Sequence, residues 1–146
     1  IIGDYEMATS FMVDRVKKVL GLAPADFTGT TAASTAVIDR TGFNTAFILV
    51  SNSAGTSGTL TLTFFEGTGS TAATAVTLNA TPAVITADAA ALSLYTLDLS
   101  GFNKNFKVTV TPALSTNHSY VSVDVLLADA SIDPASGTAV TPLRKA

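Results

Sequence analysis

The 146-residue chain contains no cysteine, no tryptophan and a single histidine. Without cysteine there is no disulfide framework, no thiolate nucleophile and no thiolate metal site, and the fold needs no oxidising compartment. One histidine excludes a histidine-rich zinc site by count. Charged residues make up only 13% of the chain, and the net charge of -3 excludes a general electrostatic grip on nucleic acid. Long apolar runs are also missing. Mean hydropathy is +0.44, yet no run approaches the roughly 20 residues of a membrane-spanning helix. The apolarity is spread instead over short segments rich in Ala, Val, Leu and Thr. A chain this apolar and this poor in charge is expected to cover much of its surface in an assembly, with protein or other neutral surfaces as partners.

What the chain does have is an internal repeat. The pattern D-x-x-G-F-N-x-x-F occurs at Asp39, Gly42, Phe43, Asn44 and Phe47, and again 59 residues later at Asp98, Gly101, Phe102, Asn103 and Phe106. Each copy leads into an alternating apolar run, a polar loop and a second alternating run. In D-x-x-G-F-N the glycine can take positive φ, the Asp or Asn side chain can satisfy turn backbone, and the phenylalanine re-enters the core as the next strand begins. Asp39, Gly42, Phe43, Asn44, Asp98, Gly101, Phe102 and Asn103 are therefore expected as structural turn anchors of two similar hairpins. One carboxylate per copy is too few for a calcium loop.

The chain divides into an N-terminal helix and arm (1–34), a β-sandwich domain (35–130) and an extended C-terminal tail (131–146). An amphipathic helix is predicted over 8–20. Thr9 or Ser10 would cap it, Gly21 and Pro24 would stop it, and Asp14 with Lys18 would form an i,i+4 pair. Phe11, Met12, Val16, Val19 and Leu20 fall near one face, which docks either on its own domain or on a neighbouring subunit. The first residue given is Ile rather than Met, which fits either a processed chain or one that continues upstream, and no secretory-signal pattern is visible in the residues given.

From 36 to 129 the period is two. Leu60, Leu62 and Phe64 share one face of 59–66, with Thr61, Thr63 and Phe65 on the other. Similar alternation runs through 107–111 and 120–126, and further strands are expected at 36–40, 43–51, 74–79, 83–87 and 92–99. About eight short strands with no helical crossover predict an all-β, antiparallel β-sandwich of jelly-roll type. The Pro- and Gly-containing tail is expected to lie extended, with Leu143 to Lys145 on a partner.

Motifs for chemistry are weak. Gly67 to Ala72 matches G-x-G-x-x-A, with Asp88 near the offset of a ribose-binding acid, but the residues that follow read as a strand where the dinucleotide fold needs a helix. A hairpin loop is expected there, and no cofactor. His118 lies in a polar loop with no nucleophile elbow in the chain to serve, and Asp98 with Asp124 is the one carboxylate pair to weigh for glycoside hydrolysis. Lys104, Lys107, Arg144 and Lys145 are too scattered for a nucleic-acid groove. No enzymatic activity, cofactor or metal is expected.

The stretch V-I-D-R-T-G-F-N-T-A-F-I-L-V, with Y-V-S-V-D-V-L-L-A-D near the end of the domain, resembles small all-β virion structural proteins of tailed bacteriophages, over residues 36 to 134. That resemblance implies a capsid decoration or cement protein, assembled in the bacterial host cytoplasm. It would bind major capsid protein or other virion subunits and occur as a homo-oligomer, often a trimer, with neither nucleic acid nor membrane as a partner. The helix is a departure from the plainest members and leaves a tail or fibre role open. The expected contacts outside the β-core are Phe11, Met12, Val16, Leu20 and Leu143. The alternatives are a carbohydrate- or receptor-binding β-sandwich module and a surface-layer or pilus subunit. Scarce exposed aromatics count against the sugar-binding module.

Overall fold

The computed structural model describes residues 16–55, 57–114, 118–128 and 143–146. Eleven strands are present among them: β1 (Val16–Thr28), β2 (Ala33–Ser34), β3 (Ile38–Asp39), β4 (Thr45–Asn52), β5 (Thr59–Gly67), β6 (Thr74–Ala75), β7 (Ile85–Thr86), β8 (Ala91–Asp98), β9 (Asn105–Ala113), β10 (His118–Ala128) and β11 (Leu143–Arg144). They form two sheets. The first runs β1-β10-β4-β8-β11; the second runs β2-β9-β5-β6, with β3 added on β9 and β7 on β5. Their inner faces share one core, in which Ile48, Val50, Leu97 and Val123 from the first sheet join Leu60, Phe64, Phe106 and Val108 from the second.

Period-two patterning explains these strands. Ala46, Ile48 and Val50 of β4 are fully buried, and the residues between them face outward. Leu60, Leu62 and Phe64 are buried from β5, as their alternation requires, and Val121, Val123, Val125 and Leu127 from β10.

The pairing differs from two hairpins. Neither repeat closes on itself: β4 and β5 enter different sheets, as do β9 and β10, so each unit is an arch spanning the core. The first strand of one copy pairs with the second strand of the other. Thus β4 pairs β10 from Thr45↔Ala128 to Asn52↔Val121, and β9 pairs β5 over the equivalent stretch, from Asn105↔Gly67 to Pro112↔Leu60. The preceding strands follow the same rule, with Leu97↔Ala46 matching Ile38↔Phe106. The architecture is two interlocked β-arches with approximate two-fold symmetry. Both strands leaving a turn must bury an apolar face, and that is possible on opposite sheets as well as side by side.

Three further expectations are corrected. Residues 16–20 are not the end of a helix but the start of β1, in register with β10 at Val16↔Ala128 and Val19↔Val125. Residues 8–15 lie outside the described residues. The spacing of Val16, Val19 and Leu20 suits either period in so short a window, and the edge of β10 supplies backbone partners that decide it. Lys18 consequently pairs with Asp124 at 3.5 Å. The strand has register shifts between Val19 and Leu22 and between Leu22 and Ala25. At Gly21 a Cβ would stand 1.8 Å from the carbonyl oxygen of Val123, so only glycine admits this approach. The sheets are also not wholly antiparallel, because β11 runs parallel to β8. Finally, the described residues hold eleven strands rather than eight, the additions being β1, β2 and β11.

Candidate functional site

The turn anchors are built from local chemistry. Asp39 Oδ1 accepts from the Thr41 hydroxyl at 2.6 Å and the Thr41 amide at 2.8 Å. Those bonds, outweighing slight desolvation and helped by Lys104, hold the Asp39 carboxyl below its ordinary range. Asp98 Oδ1 accepts from the Ser100 amide at 2.9 Å in the same way. Each turn closes with one backbone bond, Phe43 N to Arg40 O and Phe102 N to Leu99 O, both 2.9 Å. Gly42 has φ of 87°, whereas Gly101 is not in the left-handed region. The turns then bind each other: Arg40 N donates to Lys104 O, and Leu99 N to Asn44 O. The Arg40 side chain donates from Nε to the carbonyls of Phe102 and Asn103, and from Nη2 to that of Phe102. Asp39, Gly42, Phe43, Asn44, Asp98, Gly101, Phe102 and Asn103 thus come together as one cross-braced end of the sandwich.

One buried carboxylate was missed by the sequence reading. Glu66 lies on the inward parity of β5 with Leu60, Leu62 and Phe64, and its side chain is 5% exposed. Lys145 Nζ donates to Oε1 at 2.6 Å and Asn103 N to Oε2 at 2.8 Å. Around it, Arg144 N donates to Asn79 Oδ1, Asn79 N to Arg144 O, and Ala146 N to Thr77 O, each at 2.8 Å. Residues 143–146 therefore strap the β8 edge of the first sheet to the second. Leu143 is partly buried against the core. The signal in the sequence was an acid at a core-facing position of an apolar strand.

The two outer faces differ in character. On the second sheet, Thr61 stands opposite Thr111 and Thr63 opposite Thr109, and Lys107 lies 5.2 Å from the centre of the Phe65 ring. This face is hydroxylated. On the first sheet the register sets Leu126 beside Phe47, and Leu49 beside Leu94. Leu92 and Leu94 are 65% and 47% exposed, and Tyr120 is 60% exposed. Five charged residues share this face: Lys18 pairs with Asp124, Asp26 stands opposite Tyr120, and Arg144 lies beside Asp98 at one end. The apolar side chains form the most continuous candidate surface among the described residues. Val16, 40% exposed, borders it at the start of β1. Leu20 also lies in β1, and Phe11 and Met12 fall outside the described residues.

Groups suited to chemistry are not assembled. No set of three His, Asp or Glu side chains that could hold a metal occurs among the described residues. Asp98 and Asp124 share the outer face but lie two strands and four residues apart, about 17 Å by strand geometry and too far for a hydrolase pair. Gly67–Ala72 runs from the last residue of β5 into the β5–β6 hairpin connection and is not a phosphate loop before a helix. His118 opens β10 opposite Thr28. An open groove of about 540 Å³ follows the irregularities of β1, lined by Lys18, Val19, Gly21–Pro24 and Ser122–Asp124. Its few polar side chains include the Lys18–Asp124 pair, which already satisfies itself.

No family model matches the chain, and no curated protein matches it significantly. The fold defines the class as an all-β, two-sheet module. Among solved structures it is similar to the crystal structure of PBSX exported protein XepA, at 16% sequence identity and a TM-score of 0.50. That similarity covers 86% of this chain and 41% of XepA, so the chain spans less than half of that protein's length. At this identity the likeness is one of fold.

Proposed function

We propose that the chain is a non-enzymatic structural protein of a phage particle, and within that class a capsid decoration or cement protein that binds major capsid subunits and stabilises the head. The observation that carries this reading is the outer face of the first sheet, where Phe47, Leu49, Leu92, Leu94 and Leu126 form an apolar patch. Such a surface marks contact with another protein. The fold shared with an exported protein of the phage PBSX supplies the setting. Adhesion would work through shape and apolar burial, about 800 Å² per standard contact, multiplied when one molecule touches several lattice subunits.

The test is gradient sedimentation of the native source lysate, following this chain by mass spectrometry. Co-migration at fixed stoichiometry with megadalton particles containing a major capsid protein is the expected result. Recovery only as a slow, free species would overturn it. That outcome would favour the second reading, a receptor- or carbohydrate-binding module acting away from the particle, which the description of XepA as exported supports.

A further inference from the structure

Residues 143–146 occupy a slot whose walls come from both sheets. Leu143 and Arg144 run parallel to Leu97 and Asp98 of β8, and Lys145 bridges antiparallel to Leu78 on the other side. Asn79 grips the segment twice, donating from its amide to Arg144 O and accepting from Arg144 N at Oδ1, and Thr77 O accepts from Ala146 N, each at 2.8 Å. Two side-chain seats complete the slot. Leu143 packs against the core, and two positions on, Lys145 meets Glu66, a carboxylate whose side chain is 5% exposed. Arg144, between them, is exposed. Main-chain bonds along the segment, with seats for alternate side chains, are the means by which a protein recognises an added strand. The slot therefore reads an apolar residue followed two places later by lysine.

We propose that residues 143–146 are an exchangeable latch: they release together while both sheets stay folded, and the slot they leave binds another strand of the same apolar-x-Lys pattern on Glu66. The ladders that hold the sandwich, β4 with β8 and β10, and β5 with β9, do not include this segment. An element held by few bonds opens locally, at a free energy below that of global unfolding. Leu143 and Lys145 are both seated inward, so neither seat empties alone and the segment leaves as a unit. The occupant follows from the floor of the slot. Glu66 keeps the Asn103 amide on Oε2 when the latch is open, and Oε1 then calls for a cation. The latch competes with any such strand, so the strand's apparent affinity is the slot's own affinity reduced to the fraction of molecules that are open. Weakening the latch without altering the slot therefore raises that affinity. This inference does not depend on the virion reading.

The test uses the full chain and an acetylated peptide T-P-L-R-K-A, the sequence of residues 141–146, with binding followed through the NMR signals of the Thr77 to Asn79 amides. Lys145→Met alters the latch and leaves Glu66 in place. That variant should bind the peptide about 5 to 30 times more tightly than wild type does, and the same peptide with glutamate in place of its lysine should bind neither chain. Hydrogen exchange of the wild type gives a second readout: the amides of Asn79, Arg144 and Ala146 should share one opening free energy, below that of the amides of β4 and β5. Equal binding by the two chains, binding by neither, or exchange of the three amides only together with the core overturns the proposal.

Discussion

Lys145 Nζ lies 2.6 Å from Oε1 of Glu66, a carboxylate whose side chain is only 5% exposed. The same carboxylate accepts from the Asn103 amide. One group thus ties the last residues of the chain to β5 and to the second D-x-x-G-F-N turn. Lys145→Met should cost about 1 to 3 kcal/mol, below the roughly 3 to 5 kcal/mol of a fully buried pair because solvent reaches the ammonium. Urea unfolding measures this, and an unchanged midpoint would show that the strap is incidental.

The pH dependence of the same pair has a definite sign. Burial pushes the Glu66 carboxyl up, but the bond from Lys145, the Asn103 amide and the nearby charges of Lys145 and Arg40 outweigh it and leave the group below its ordinary value of 4.5. A depressed folded pKa adds stability that is complete above the unfolded value and disappears as pH falls through the folded one. The stability gap between wild type and Glu66→Gln should therefore be constant at neutral pH and close progressively below about pH 4.5. A gap that instead widens in acid would contradict the assignment.

Phe47 and Phe106 match in the repeat yet should behave differently. Phe106 is fully buried and meets Phe102 edge-on at 6.2 Å, whereas Phe47 faces outward from β4. Phe106→Ala should cost about 3 to 5 kcal/mol, and Phe47→Ala less than about 1.5 kcal/mol. Thermal unfolding of the two variants compares them directly; similar losses would mean that the strand faces are misassigned.

The repeated glycines should also separate. Gly42→Ala forces a side chain to φ of 87° and should cost about 1 kcal/mol or more. Gly101→Ala meets only the Lys145 side chain, Cβ at 3.4 Å and Cδ at 3.9 Å, and should be nearly neutral. Chemical denaturation of both would reveal whether the two turns are alike after all.

Arg40 braces one turn against the carbonyls of the other. Arg40→Met keeps the stem and removes those charge-assisted bonds, for a loss of about 1 to 3 kcal/mol. Arg40→Lys should recover only part of it, since an ammonium cannot reproduce the guanidinium fork. Full rescue by lysine would reduce the contact to simple charge.

Strand positions were legible because alternation encodes burial directly, as in Leu60, Leu62 and Phe64. Strand partners were not. Period two says which face is buried but not which neighbour supplies the backbone bonds, so the repeat suggested hairpins where arches formed. The identity Phe47/Phe106 concealed a slip of one residue: β4 and β9 superpose with Ala46, not Phe47, at the place of Phe106, as the pairs Ala46↔Leu97 and Phe106↔Ile38 show. Such a slip exchanges the faces of a strand while leaving its alternation intact. For residues 16–20 the helical spacing was real, and the open edge of β10 outweighed it. The apolar outer face was visible only as surplus hydropathy until register gathered Leu49, Leu92 and Leu94.

The interlocking of the arches also governs when this protein can fold. Neither half contains both strands of any long ladder: β4 waits for β8 and then β10, β5 for β9, and β1 for β10. A chain emerging from the ribosome must be made through Asp98 before the first of these ladders is complete, through Ala113 before the second, and through Ala128 before the last two. Pairings this distant in sequence make for slow folding. For most of its synthesis the polypeptide therefore carries unpaired apolar strands, and the two halves, produced separately, should each fail to fold and regain structure only on mixing.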